Sequence, residues 1–243
     1  MTVHLIRTEL ILLAREPLTL VVSLAFPILL LVLLAQSFGN GPDPDMGGLG
    51  GADFYSPVYL SATVAVMGLM GVPTQVAGYR ERGVLRRFRA AGVPSRALVL
   101  AQIGVTVALA MVGALLMVGL AVAVFDVNLP TSLVGTAVSF VVGAIAFAAL
   151  GVLLGVVLPT ARAAQGLGLA LFFGLFFVSG GGPPPALLPD ALNTAVGYTP
   201  MGWLIDAVSD PWHGAGWNLG ALALLAILGA GSAWLATRRL TRE

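Results

Sequence analysis

Six long apolar runs, separated by short polar segments, constrain this chain more than any other feature. They cover residues 18–38, 57–78, 97–125, 132–158, 163–179 and 217–236, with lengths of 21, 22, 29, 27, 17 and 20 residues. A helix needs about 20 apolar residues to cross a hydrocarbon core about 30 Å thick, and five of the runs meet that length. Hydrocarbon offers no partner to a backbone N–H or C=O, so runs of this length must close their hydrogen bonds internally as helices. Composition agrees, with 58% hydrophobic and 9% charged residues and a mean hydropathy of +0.97, far too apolar for a water-soluble core of this size. The sequence therefore predicts an all-α integral membrane protein with six transmembrane helices, forming a single domain over 1–243. The first run is longer than the 7–15 apolar residues of a signal peptide, so it reads as a permanent helix. The 29-residue run must tilt or project beyond the hydrocarbon.

The missing residue types narrow the chemistry. All twelve basic residues are Arg and none is Lys, which excludes a P-loop, whose ammonium must reach the β- and γ-phosphates. With no Cys, and with His4 and His213 near opposite ends, thiolate nucleophiles, disulfides and a visible metal cluster are excluded. No catalytic, cofactor-binding or metal-ligating residue is assigned. The net charge of +1 points away from nucleic acid. The glycine-rich residues 47–53 lack the G-x-G-x-x-G spacing and receive no nucleotide. The Ala/Gly/Val/Arg-rich, Lys-free composition fits a high-GC bacterial genome.

The arginines set the orientation. Arg7 and Arg15 precede the first run, six arginines separate the second from the third, Arg162 separates the fourth from the fifth, and Arg238, Arg239 and Arg242 follow the sixth. The intervening segments 39–56, 126–131 and 180–216 hold seven aspartates and no Arg. By the positive-inside rule, both termini and the arginine-rich loop are expected to be cytoplasmic.

That loop is read as a helix over 80–91. On it Val84, Leu85, Phe88 and Ala91 form one stripe, Arg82, Arg86 and Arg89 line one flank, and Arg80 and Arg87 the other. Pro94 closes it, and Ser95 stands where it could N-cap the third span. Two readings fit this pattern: a basic helix resting on anionic headgroups, or a docking helix aimed at a protein. Glu81 projects onto the apolar stripe of a continuous helix. A carboxylate there gains nothing from anionic lipid, although in a first turn it favours the helix N-terminus. At the other end of the loop pattern, Val3, Ile6, Leu10 and Leu13 recur at helical spacing before Pro17 and read as an interfacial helix.

The fifth run covers only about 26 Å at 1.5 Å per residue. Three glycines and three prolines follow it, and these cannot continue a helix in lipid. Residues 186–196 and 201–208 are apolar but too short to span, so 183–208 reads as two short outer re-entrant helices broken at Tyr198-Thr199-Pro200, against the alternative of a plain surface loop. Gly135, Ser139, Gly143, Gly151 and Gly155 form a small-residue ladder suited to close packing inside the subunit. Phe172, Phe173, Phe176 and Phe177 read first as packing and second as a substrate path.

Together, the N-terminal interfacial helix, the six spans, "YRERGVLRRFRAAGVPSRALVLAQ" and "LLPDALNTAVGYTPMGWLIDAV" resemble the membrane permease of type 2 ATP-binding-cassette (ABC) exporters, a family that includes drug and antibiotic resistance transporters. The triplet Glu81-Arg82-Gly83, followed by Leu85 and a later Pro-Ser, carries most of the likeness. The resemblance implies that this segment is a coupling helix touching an ATPase through Glu81, Arg82, Gly83, Leu85, Arg86, Arg87 and Phe88. It also implies an outer re-entrant hinge at Pro189 and Pro200, where "SGGGPPP" is richer in glycine and proline than the family's usual apolar stretch. The implied partners are two ABC ATPase subunits that bind ATP-Mg, and a second permease as homodimer or heterodimer, in a bacterial inner membrane. The chain would then be a non-enzymatic exporter subunit carrying no cofactor of its own, and its uncharged spans suit lipophilic cargo. An ion-coupled carrier or intramembrane enzyme would need ionisable residues inside the spans. By these boundaries the spans contain none. A purely structural membrane subunit is the remaining alternative.

Overall fold

The computed structural model describes residues 41–184 and 187–242, together with Ala25, residues 28–33 and Ser37. The expected interfacial helix before Pro17 and most of the expected span 18–38 lie outside the described residues. Among the described residues, five helices are long and apolar enough to cross a membrane. Leu31, from the first expected span, is buried in the main core.

The first long helix runs from Gly51 to Glu81 in three parts: α1 (Gly51–Val66), a π-helical turn (Met67–Gly71) and α2 (Val72–Glu81). After it come α3 (Val84–Ala90), α4 (Ser95–Phe125), α5 (Leu133–Val157), α6 (Ala161–Val178), α7 (Asp190–Val196), α8 (Pro200–His213) and α9 (Leu219–Arg242). Their ends follow local chemistry. Ser132 and Thr160 cap α5 and α6 by accepting from the N–H groups of Gly135 and Ala163, which satisfies donors that no helix turn can reach. Pro94 rather than Ser95 occupies the cap of α4, with no side-chain hydrogen bond there. The Pro94 carbonyl instead accepts from Ala97 N at 2.9 Å, which satisfies one first-turn amide without the serine hydroxyl.

Helix α5 is the centre of the bundle and contacts α1, α2, α4, α8 and α9. Its small-residue ladder makes these approaches possible. A Cβ at Gly135 would stand 2.8 Å from Pro211 Cβ, one at Gly155 would stand 2.7 Å from Val76 Cβ, and one at Gly143 would overlap Leu204. The ladder is thus spent inside the subunit. The short helix α8 enters the same core through Met201, Leu204, Ala207, Val208 and Trp212. It runs five residues beyond the expected 201–208, to His213, with Pro211 two residues from its end.

The helices gather the arginines and aspartates at opposite ends. At one end Tyr79, Leu85, Leu98, Val156, Ala236 and Leu240 form a small second core. At the other, Asn128 donates to the Asp53 carboxylate through its backbone N (2.9 Å) and Nδ2 (3.1 Å). His213 Nε2 lies 3.3 Å from the Asp53 carbonyl. That carbonyl is free because Pro57, four residues on, has no N–H to return to it, so the imidazole nitrogen facing it is a donor.

Candidate coupling surface

The arginine-rich loop is not one helix over 80–91. The α2 helix continues to Glu81, the chain turns through Arg82 and Gly83, and α3 begins at Val84. Gly83 has φ +69° and Gly92 φ +74°, so a left-handed glycine, nearly free of Cβ strain, brackets the short helix on each side. This corrects two expectations. Arg80 does not flank the apolar stripe: it lies on α2, and its guanidinium donates to the carbonyls of Val156 (2.8 Å) and Leu158 (3.2 Å) at the end of α5. There it caps carbonyls that the helix terminus leaves open, at the end where the dipole favours a cation. Glu81 does not share a stripe with Leu85 and Phe88 either, because the turn at Gly83 breaks the helical register. It is exposed at the last residue of α2.

The remaining residues divide by direction. Leu85 is buried and Phe88 half-buried, both packed on Tyr79, Leu98, Val156 and Leu240. Arg82, Arg86 and Arg87 are exposed, beside Glu81. Arg82 also donates through Nε to the Gly78 carbonyl (3.2 Å) and lies over the Tyr79 ring at 5.8 Å. Leu85, Phe88, Val93, Pro94, Ser95, Leu98 and Leu240 line a shallow groove. Its Leu240 wall comes from the C-terminal helix, which the loop sequence alone does not signal. The result is a short helix fixed to the bundle by its apolar side, with Arg86 and Arg87 exposed on it and the exposed Glu81 beside it at the end of α2.

The four phenylalanines of α6 separate in the same way. Phe172 and Phe176 are 1% and 2% exposed, and they continue a stack with Tyr59 and Tyr55 at centroid distances of 5.3, 5.7 and 5.6 Å. Phe177 is exposed and Phe173 half-buried. A helix with consecutive pairs cannot point both members the same way, so within this chain the four do not line one surface. The tyrosines also account for the Gly/Pro segment: Tyr55 and Tyr59 donate their hydroxyls to the carbonyls of Gly182 (2.7 Å) and Gly181 (2.8 Å), which supplies irregular backbone with partners. Pro189 is the N-cap of α7 and Pro200 the first residue of α8, so both prolines start helices. Thr199 Oγ1 accepts from Gly202 N at 2.9 Å, and Trp203 Nε1 donates to the Gly197 carbonyl at 2.8 Å, which holds the corner between α7 and α8.

A family model described as "ABC-2 type transporter" matches residues 2–211. No curated protein matches the chain. The match covers most of the sequence, including the arginine-rich turn and the α7–α8 corner, and with the five long apolar helices it establishes that this multi-pass membrane chain belongs to the ABC-2 type transporter family.

Proposed function

We propose that the chain is the transmembrane subunit of an ATP-driven exporter, in which two separate ABC ATPases bind ATP-Mg and a second permease, identical or related, completes the path. The observation that carries this reading is α3: a glycine-bracketed helix held by Leu85 and Phe88, with Glu81, Arg86 and Arg87 exposed around it. A mobile basic tail would suit lipid, whereas a rigid platform with mixed charges suits a protein surface. The Lys-free sequence needs a partner for ATP chemistry. The apolar interior favours a drug, natural product or lipid as cargo, and the distribution of arginines favours a bacterial inner membrane with both termini in the cytoplasm.

The test is a complex with the ATPase subunits, reconstituted in proteoliposomes, with ATP hydrolysis and efflux of a lipophilic fluorescent dye as readouts. Glu81→Ala is expected to lower coupled hydrolysis at least about tenfold, since an unpaired partner group at a buried interface costs on the order of 2 kcal/mol. Arg87→Ala is expected to act in the same direction. Normal hydrolysis by the glutamate variant would return α3 to a lipid-resting role, because removing a carboxylate from anionic headgroups is neutral or favourable.

A further inference from the structure

We propose that residues 67–73 are a pivot, on which the arginine-end half of the first long helix (α2) turns against its aspartate-end half (α1). The inference rests on the transport reading above and adds where in the chain a push on α3 becomes a change of shape.

The segment is weak for a reason visible in its atoms. Met67–Gly71 is π-helical, and Val72 N donates to Met67 O, five residues back. Pro73 follows immediately and has no N–H. In π spacing its donor would have served Gly68 O, and in α spacing Leu69 O, so both carbonyls lack that donor. Neither is left in a void. A Cβ at Gly151 of α5 would sit on the Gly68 oxygen, and a Cβ at Gly168 of α6 on the Leu69 oxygen. Each carbonyl therefore rests on the bare Cα of a glycine on a neighbouring helix. Such contacts are weak, and they can be lost and remade without breaking a conventional hydrogen bond. From the other side, a Cβ at Gly68 would approach Phe147 O to 2.7 Å. The first long helix thus meets α5 and α6 through backbone at these glycines, with few interlocking ridges to oppose a rotation there.

The two halves are fastened to different parts of the molecule. The α1 half is tied to the aspartate end through Tyr55 and Tyr59 on Gly182 and Gly181, and through Asp53 with Asn128. The α2 half is tied to the arginine end through Arg80 on Val156 and Leu158. It forms one body with α3, because Val76 and Tyr79 pack with Leu85 and Phe88. The turn at Gly83 consequently cannot absorb a displacement of α3. The nearest place where the helix departs from α hydrogen bonding is 67–73, and π-turns and prolines are where helices bend at least cost.

The experiment is amide hydrogen exchange of the chain assembled with its ATPase subunits in nanodiscs, compared without nucleotide and with Mg-ATP plus vanadate. Peptides within 66–75 are expected to exchange at least about tenfold faster than those within 55–64, and to change rate between the two states. Pro73→Ala restores a donor. It is expected to abolish that nucleotide-dependent change while leaving ATP hydrolysis within about twofold of the parent. If 66–75 is as protected as its flanks in both states, or if Pro73→Ala keeps the nucleotide response, the pivot is wrong and the transport reading stands. Should Pro73→Ala fail to fold, the parent's exchange pattern decides alone. If no ATPase associates, the transport reading fails and the pivot falls with it.

Discussion

At the scale of single residues, the polar groups of this chain do more to fix its ends than its interior. Arg80, Tyr55 and Tyr59 each donate to backbone carbonyls that an apolar environment would otherwise leave unpaired. Asp206 differs. It stands on α8, one turn before Asp210, and partial burial of its carboxyl together with that second carboxylate raises its pKa from 3.8 to about 6, although the residue as a whole retains an exposed surface. A carboxyl whose pKa is higher in the folded state binds more protons folded than unfolded between roughly pH 4 and 6, so stability falls as pH rises through that window. Asp206→Asn is therefore expected to raise the melting temperature of the detergent-solubilised protein at pH 7.5 and to change it little at pH 4. A difference of equal size at both values would show that the carboxyl is not the titrating group.

At the scale of elements, the turn at Gly83 sets how α3 is presented. An L-residue held at φ +69° carries a strain of about 1–2 kcal/mol, comparable to the net worth of one or two hydrogen bonds. A seven-residue helix has little stability of its own to resist it. Gly83→Ala is expected to loosen α3 without disturbing insertion, because Gly83 lies outside the five long helices. Coupled ATP hydrolysis should drop about fivefold or more while expression and solubility stay at parental levels; unchanged hydrolysis would mean that α3 tolerates reorientation. The continuous pattern from Arg80 to Ala91 hid this turn from sequence reading, since periodicity registers apolar spacing but not a single left-handed residue. Glycine inside the basic run was the available signal. The register error at Glu81 and Arg80 followed from missing it.

At the scale of the whole molecule, arginines and aspartates at opposite ends predict a specific sidedness. Cysteines placed singly at the exposed positions Ala91 and Thr241 are expected to resist an impermeant thiol reagent in intact cells, and cysteines at Asp45 and Thr194 to react with it. Labelling at Ala91 would reverse or break the proposed topology. Labelling of Thr194 only after permeabilisation would place α7 at the cytoplasmic face and change the number of crossings.

The sequence by itself determined the solvent, the helical class, the long spans and the segregation of charge, because each depends on local quantities: the length of an apolar run, the lack of hydrogen-bond partners in hydrocarbon, and which loop carries arginine. It also marked the arginine-rich turn. Only the tertiary structure decided what the charged and small residues touch. Arg80 is a cap for α5 because α2 and α5 end side by side, and Leu240 is a wall of the α3 groove because α9 returns to the same end. Phe172 and Phe176 belong to the core because Tyr59 lies across from them. Gly151 meets Gly68, and Gly168 meets Leu69, only because helices far apart in sequence cross beside the turn that precedes Pro73. Such pairings depend on the angles at which helices cross, and a one-dimensional pattern of polar and apolar residues carries no record of them.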